Sequence, residues 1–219
     1  MSVRRLAKDQ PASFTFSPQT LETANWWLSK YPPHRKASAV IPILWLIQKQ
    51  DGWVSEPAIR TLAAMLDMPV IRVLEVATFY TMFHLQPVGK HHIQVCGTTP
   101  CMLRGAEDLK AMCKRRIGDK FQVTSDGLFS WEEVECLGAC VNAPVAAIDD
   151  YYHEDLDVAA LERTIDALAS GQSIRPGSAI GRQTSAPEGG EATLTHPELY
   201  DGSLAAPFKL PNLPEPAST

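Results

Sequence analysis

Four of the five cysteines fall into two close pairs, and they are the side chains best suited to chemistry in this sequence. Cys96 and Cys101 form a C-x4-C pair, and Cys136 and Cys140 form a C-x3-C pair. Each pair closely follows a predicted strand, so both pairs are expected to meet at one end of a sheet. Four thiolates at one site need a metal, and zinc and an iron–sulfur cluster are the candidates.

The spacing within each pair favours the cluster. Structural zinc sites usually use C-x2-C pairs that wrap around one ion, whereas a binuclear cluster is wider because each pair binds a different iron. Longer loops also let backbone N–H groups turn towards the sulfurs, and Gly97 and Gly138 permit that close approach. A helix predicted to open near Pro100 would point its positive end at the anionic cluster. Zinc and unligated core cysteines remain as alternatives.

Other redox sites fit the pattern less well. A thioredoxin-type disulfide enzyme would need C-x-x-C at the start of its first long helix, although Pro144 before a strand is reminiscent of thioredoxin architecture. A Rieske cluster needs two histidine ligands, but four paired cysteines leave no vacancy, so His91 and His92 are expected to be ordinary strand residues. Cys113 lies on an apolar helical stripe and is expected to be a small buried hydrophobic residue.

Nucleotide and nucleic-acid binding have little support. No G-x-G-x-x-G or P-loop motif is present, so in an NADH pathway another chain must hold the dinucleotide. The helix pair 58–66 and 70–80 has a helix-turn-helix pattern, but its second helix offers one arginine, Arg72, offset by Glu75. The formal net charge is −5. We therefore expect no nucleic-acid partner.

The chain divides into regions that differ in hydrophobic pattern and composition. Residues 17–83 predict four amphipathic helices, starting at Ser17-Pro18, at residue 39 with Ser38 as its cap, at Ser55, and at residue 70; these should form one small bundle. From residue 91 the pattern changes to β-α-β-β-β-α, a small α/β layer fold. Its predicted strands and helices are 91–95, 98–117, 121–123, 128–134, 145–148 and a last helix capped by Asp157.

The last 49 residues, 171–219, hold 7 of the 17 prolines and 6 of the 13 glycines and show no periodicity. This composition is typical of a disordered tail. Four apolar residues could nevertheless anchor the tail to a partner surface: Tyr200, Leu204, Phe208 and Leu210.

Composition is that of an ordinary soluble protein, with 45% apolar and 21% charged residues. The longest apolar run, 39–47, contains Pro42 and is far shorter than the roughly 20 residues of a membrane span. The N-terminal residues lack the apolar stretch of a secretory signal. A cytosolic location keeps thiols reduced, so an odd cysteine count favours metal or redox chemistry over disulfides.

Three motifs carry a family resemblance. The segments CGTTPCMLRG (96–105), ECLGACVNAP (135–144) and ATFYTMF (77–83) together resemble the E subunit, also called the 24-kilodalton subunit, of bacterial NADH:quinone oxidoreductase, or respiratory complex I. The resemblance spans about residues 14–170 and leaves the tail outside it.

The resemblance implies an α+β fold, in which an N-terminal helical bundle precedes a thioredoxin-like α/β [2Fe–2S] domain. The corresponding segments are an N-terminal arm at 1–16, the bundle at 17–88, the [2Fe–2S] domain at 89–170 and the tail at 171–219. It also implies that one cluster is bound by Cys96, Cys101, Cys136 and Cys140, and that this chain has no catalytic residue of its own.

The implied function is electron transfer between this cluster and FMN on a partner flavoprotein subunit, which also binds NADH. The chain would then belong to the peripheral arm of complex I, at the cytoplasmic face of the bacterial inner membrane, without inserting into the membrane. Two alternatives remain open. One is the equivalent subunit of a soluble NAD-linked hydrogenase or formate dehydrogenase, and the other is a structural zinc-binding adaptor.

Overall fold

Helices fill the first part of the chain and a mixed sheet with further helices fills the second. The computed structural model describes residues 4–190, 192–199 and 201. In chain order the helices and strands are α1 Pro18–Leu28, α2 Val40–Asp51, α3 Glu56–Leu66, α4 Val70–Phe79, β1 His91–Cys96, α5 Thr99–Leu103, α6 Ala106–Arg116, β2 Phe129–Val134, β3 Ala146–Ile148, β4 Tyr151–Glu154, α7 Val158–Ala169 and β5 Gly177–Ser178. Short 3-10 turns lie at Pro33–Ala39, Cys140–Asn142 and Pro197–Leu199.

Side-chain caps fix where three helices begin. The Ser17 and Ser55 hydroxyls and the Asp157 carboxylate each accept a hydrogen bond from the backbone three residues later, at 3.1, 3.4 and 2.6 Å. Such caps satisfy an otherwise unpaired N–H and are worth about 1 kcal/mol each. These three predicted starts are confirmed. The cap predicted at Ser38 is wrong, because residues Pro33–Ala39 form a 3-10 turn that leads directly into α2.

The helices α1–α4 share one hydrophobic core, which includes Ile43, Ile47 and Leu62 at 0% exposure. The aromatic side chain of Phe79, at the end of α4, lies outside this core and is 77% exposed. The arginine on α4 pairs with Glu75, three residues along the same helix, at 2.9 Å.

The sheet has the strand order β2-β1-β3-β4-β5. β1 and β2 are parallel, β3 is antiparallel to both β1 and β4, and β5 is parallel to β4. The helices α6 and α7 pack against each other and, with the sheet, enclose a second core that contains Trp131 and Leu161. In the part of the chain that the structure describes, no helix combines the length and apolarity that a membrane span requires.

Two predictions about this second half need correction, and one strand was missed. The helix predicted at 98–117 is broken at Gly105, whose φ of +106° cannot continue a helix, so that α5 has only five residues. No strand forms at 121–123, because Phe121 has a left-handed φ of +66°, although its N–H still donates to Trp131 at 2.9 Å. The strand β4 was not predicted.

The C-terminal segment also differs from the expectation of a disordered tail. The strand β5 pairs with β4, so the sheet takes in residues beyond the boundary predicted at residue 170. We call residues 175–186 the C-terminal clasp. Its Arg182 forms a buried ion pair with Asp155, at 2.6 Å. The four apolar residues predicted as anchors, Tyr200, Leu204, Phe208 and Leu210, lie outside the described residues. The division of the chain into four segments stays a prediction.

Candidate metal centre

The topology of the sheet brings the two cysteine pairs to the same end. Cys96 is the last residue of β1, and its partner in the parallel ladder is Val134, the last residue of β2. Cys136 follows two residues later, so both strands deliver a cysteine at their carboxyl ends. Cys101 lies on α5, and Cys140 begins the turn Cys140–Asn142. All four thiols are close enough to influence one another's ionisation.

The centre has a buried side and an exposed side. The first pair, Cys96 and Cys101, is 1% exposed, while Cys136 and Cys140 face solvent. The sulfurs of the second pair lie 3.4 Å apart, and Gly138 between them donates its N–H to Cys136 at 3.4 Å. Gly138 has φ of +80°, which glycine adopts without strain. One edge of the site is therefore open to the surroundings.

Within each pair one thiol ionises more readily than the other. Burial raises the pKa of Cys101 to about 12, and its hydrogen bond with Cys96 adds to the effect. Burial also acts to raise the pKa of Cys96, but hydrogen bonds from Thr98 and from the Leu137 backbone outweigh it and leave that pKa lowered. Cys96 is therefore the thiol of this pair that loses its proton more readily, and a metal cation that binds both thiols must displace the proton of Cys101.

The pKa values of the two thiols in the exposed pair, Cys136 and Cys140, are also shifted in opposite directions. Hydrogen bonding from the Gly138 backbone lowers the pKa of Cys136, whereas the hydrogen bond to Cys136 raises that of Cys140. Cys136 is therefore the thiol of the exposed pair that ionises more readily.

The separation of the sulfurs fits a binuclear centre. A tetrahedral zinc ion with Zn–S bonds of about 2.3 Å holds its four sulfurs roughly 3.8 Å from one another. Among the described residues, one group of three His, Cys, Asp or Glu ligand atoms lies within 4.8 Å of one another, and it contains no cysteine. The Cys136 and Cys140 sulfurs lie 3.4 Å apart with no third cysteine sulfur of the described residues within 4.8 Å of both, which matches a site in which each pair holds a different iron.

Glycine at position 97 also makes room for a neighbouring side chain. A Cβ there would overlap the Glu133 side chain, so a larger residue after Cys96 would displace that carboxylate. Glu133 is itself held by Lys110, at 2.7 Å, and by Lys120. The glycine thus permits an ion-pair network beside the site.

The remaining predicted redox residues lie elsewhere. Cys113 is buried in the core on α6, and burial raises the pKa of its thiol to about 12, as expected of an inert core residue. His91 and His92 are strand residues of β1, as predicted. The Ala143–Pro144 peptide, which precedes β3, is cis.

Comparison with known proteins places this arrangement in a family. A family model described as thioredoxin-like [2Fe–2S] ferredoxin matches residues 24–169. The chain belongs to the thioredoxin-like [2Fe–2S] ferredoxin family. The predicted fold class, an α+β thioredoxin-like domain after N-terminal helices, and the predicted single [2Fe–2S] cluster are confirmed.

Curated relatives within this ferredoxin family carry a consistent name. The chain is 55% identical over 204 residues to an NADH-quinone oxidoreductase E subunit of Rhizobium meliloti, covering 90% of this chain and 74% of the relative. It is 54% identical over 158 residues to the NADH-quinone oxidoreductase E subunit of Rickettsia bellii, covering 71% and 95%. The resemblance stated from the three sequence motifs is thereby confirmed.

A solved structure shares the fold of this ferredoxin at low identity. The crystal structure of NAD⁺-reducing [NiFe]-hydrogenase in the H2-reduced state aligns with a TM-score of 0.52 and 20% identity. The alignment covers 59% of this chain but only 22% of the hydrogenase chain. At that identity the likeness shows the fold alone.

Sequence reasoning missed several contacts that shape the site. Thr98 lies 3.2 Å from the Cys96 sulfur, and the Tyr152 hydroxyl donates to the Leu137 carbonyl at 2.9 Å. A cleft of 560 Å³ lies between the C-terminal clasp and the loop that carries Cys140. The presence of Tyr152 next to this loop depends on β4, which has no clear sequence signal.

Proposed function

We propose that this chain is the E subunit of an NADH–quinone oxidoreductase and that its [2Fe–2S] cluster carries single electrons. The observation that supports it is two pairs of thiols at the carboxyl ends of two parallel strands, in a chain over 50% identical to curated E subunits. The chain then acts within an oxidoreductase complex and contributes a redox centre to it, without a substrate site of its own.

The ligands of this cluster, in our proposal, are Cys96 and Cys101 on one iron and Cys136 and Cys140 on the other. Short loops favour binding of both thiolates to the same metal ion. The 3.4 Å separation of the Cys136 and Cys140 sulfurs supports this sorting.

The surrounding residues tune and protect the centre. When bound, the cluster accepts and releases one electron. The Thr98 and Gly138 groups near the sulfurs stabilise negative charge on them, which raises the reduction potential. The exposed Cys136–Cys140 edge is the side from which we expect electrons to enter and leave, because the other pair is enclosed by protein.

The proposed electron partner is FMN on a flavoprotein subunit that also binds NADH. This chain would lie in the peripheral arm of the complex at the cytoplasmic face of the bacterial inner membrane. The fold shared with an NAD⁺-reducing hydrogenase keeps a second candidate, the equivalent subunit of a soluble NAD-linked assembly. A zinc-binding adaptor has no support once the chain belongs to an iron–sulfur family.

We expect this chain to co-purify with the flavoprotein subunit when both are produced together. NADH should reduce the cluster in that heterodimer, provided that the cluster potential lies within reach of NADH, and should leave the isolated chain oxidised. In this proposal the helical part carries the docking surface, and its Phe79 and Ile71 are 77% and 57% exposed. Phe79→Asp should therefore weaken co-purification strongly, by about tenfold or more.

The matched control is Phe121→Asp, which alters an aromatic residue that is 60% exposed in the cluster domain. Equal loss of co-purification in both variants would contradict docking through the helices. Recovery of the unmodified chain as a free monomer, from cells that also produce the flavoprotein, would contradict the function itself. Loss of membrane NADH–quinone activity on deleting the gene separates the complex I role from a soluble assembly.

A further inference from the structure

Three potential metal ligands converge where the helical part meets the sheet. His84 lies between α4 and β1, His92 lies on β1, and Glu132 lies on β2. One ligand atom from each lies within 4.8 Å of the other two. The Nε2 atom of His92 is 3.1 Å from a Glu132 oxygen. These residues are apart from the four cysteines, and the proposed function does not use them.

His84 has a ring that is available to a ligand. In the described part of the chain its ring nitrogens have no hydrogen-bond partner, and its edge meets the His92 ring, with centroids 4.6 Å apart. Burial, followed by the neighbouring His92, lowers the pKa of His84 to about 4. The imidazole is therefore neutral near pH 7, the form that binds metal ions. The ring is only partly exposed, so a metal ion bound there would be partly shielded from water.

The other two ligands are already oriented by neighbours. The Nδ1 atom of His92 is 2.7 Å from the Ser130 hydroxyl, which also accepts the Gly89 N–H at 2.8 Å. Glu132 accepts from Gln94 at 2.8 Å. Metal-binding histidines usually have their second ring nitrogen held in this way. Without a metal ion, Nε2–H of His92 donates to Glu132 and Nδ1 accepts from the Ser130 hydroxyl. Zinc binding would move the ring proton to Nδ1, where Ser130 would accept it, and would free the Nε2 lone pair for the ion.

We propose that His84, His92 and Glu132 form a binding site for one zinc ion, with water as a fourth ligand. Two imidazoles and one carboxylate suit Zn²⁺, whereas Mg²⁺ and Ca²⁺ prefer oxygen ligands throughout. Bound zinc would join the segment after α4 to β1 and β2, and so fix the helical part against the sheet.

Nearby cations limit the strength of binding. Arg4 donates to carbonyl groups at the end of α4, including those of Ala77 and Thr78, and its charge interacts with Glu132. Both Arg4 and Lys49 also act on His84. Glu132 offsets part of this positive charge: burial disfavours its ionisation, but hydrogen bonds from His92 and Gln94 leave its pKa lowered. We therefore expect zinc binding that is measurable by titration and weaker than in a four-cysteine site.

The test is calorimetric titration of Zn²⁺ into the full-length chain with its cluster intact, with the cluster absorption followed in parallel. We expect one zinc ion per chain, bound without loss of the cluster. His84→Gln should weaken binding by on the order of tenfold or more, because it removes a ligand. Glu132→Gln should weaken zinc binding to a similar extent, because it also removes a ligand. His34→Gln, at an exposed histidine, is the matched control and should bind as the unmodified chain does.

X-ray absorption at the zinc edge identifies the donors. Nitrogen and oxygen ligands at about 2.0 Å from zinc would support the proposed site, whereas sulfur ligands at about 2.3 Å would show that zinc binds the cysteines. Sulfur ligation, equal binding by His84→Gln and the control, or the absence of saturable binding would each overturn the proposal. Circular dichroism and the cluster absorption of each variant show that the fold is retained.

Discussion

Changing Cys101 to alanine is expected to abolish the [2Fe–2S] cluster. Cys101 is 1% exposed, so neither water nor a neighbouring side chain on the surface can easily take its place. With three thiolates left, one iron lacks a ligand and the centre loses its charge balance. Iron and acid-labile sulfide, expected at two of each per chain, should fall to near zero, together with the reddish visible absorption. The same result is expected for Cys96→Ala, Cys136→Ala and Cys140→Ala.

Cys113→Ala is the matched control. Its thiol is buried in the core of the cluster domain, and its removal should cost only on the order of 1 kcal/mol of folding free energy, as for other small core truncations. Iron and sulfide contents should stay at those of the unmodified chain. Loss of the cluster in Cys113→Ala with an intact fold, or its retention in Cys101→Ala, would refute the ligand assignment. One zinc and no iron in the unmodified chain would refute the cluster.

Local sequence determined which parts of the fold could be predicted. Helices that begin with Ser17, Ser55 and Asp157 were predicted correctly, because a capping side chain acts within one turn of its own residue. The convergence of the cysteines was also predictable, since strand ends can be recognised and parallel strands present their carboxyl ends together.

Features that depend on distant residues could not be predicted. Gly105 lies in the interior of the single helix predicted at 98–117, and no neighbouring residue indicates that its φ is positive. Phe121 takes a left-handed φ that few bulky residues adopt, and the Trp131 carbonyl stabilises it from another part of the chain. The zinc ligands proposed above come from three separate elements, so sequence spacing gives no indication of them.

The C-terminal clasp shows the limit of composition as a guide. Its glycines and prolines are typical of disordered chain, yet the pairing of β5 with β4 and a buried ion pair hold it in place. The Arg182 guanidinium donates to both Asp155 carboxylate oxygens, at 3.1 and 2.6 Å. These side chains are 7% and 3% exposed. Ser178 adds a hydrogen bond to the same carboxylate at 2.6 Å.

The clasp also binds the loop that carries Cys140. Asn142 donates to the Thr184 carbonyl at 2.7 Å, and Arg182 donates to the Val141 carbonyl at 3.4 Å. The exposed edge of the cluster site therefore has part of its support outside the region that the family model matches, which ends at residue 169. We infer that the clasp stabilises this edge.

Arg182→Ala is expected to lower the free energy of unfolding by about 3 kcal/mol or more, because it leaves the Asp155 carboxylate buried without its cation. For a chain of this size the melting temperature should fall by roughly 10 °C. Urea denaturation of the cluster-containing chain measures the change. Limited proteolysis should cut residues 170–190 faster in the variant, and the cluster absorption should decay faster in air because the Cys140 loop loses its support.

Arg175→Ala is the matched control, because Arg175 is exposed and lines the same cleft. It should change the stability by no more than about 0.5 kcal/mol. The double variant with Arg182→Ala and Asp155→Ala should lose much less free energy of unfolding than Arg182→Ala alone, because it no longer contains an unpaired buried charge. If Arg182→Ala unfolds at the same urea concentration as the unmodified chain and resists protease equally, the clasp does not hold the Cys140 loop in solution.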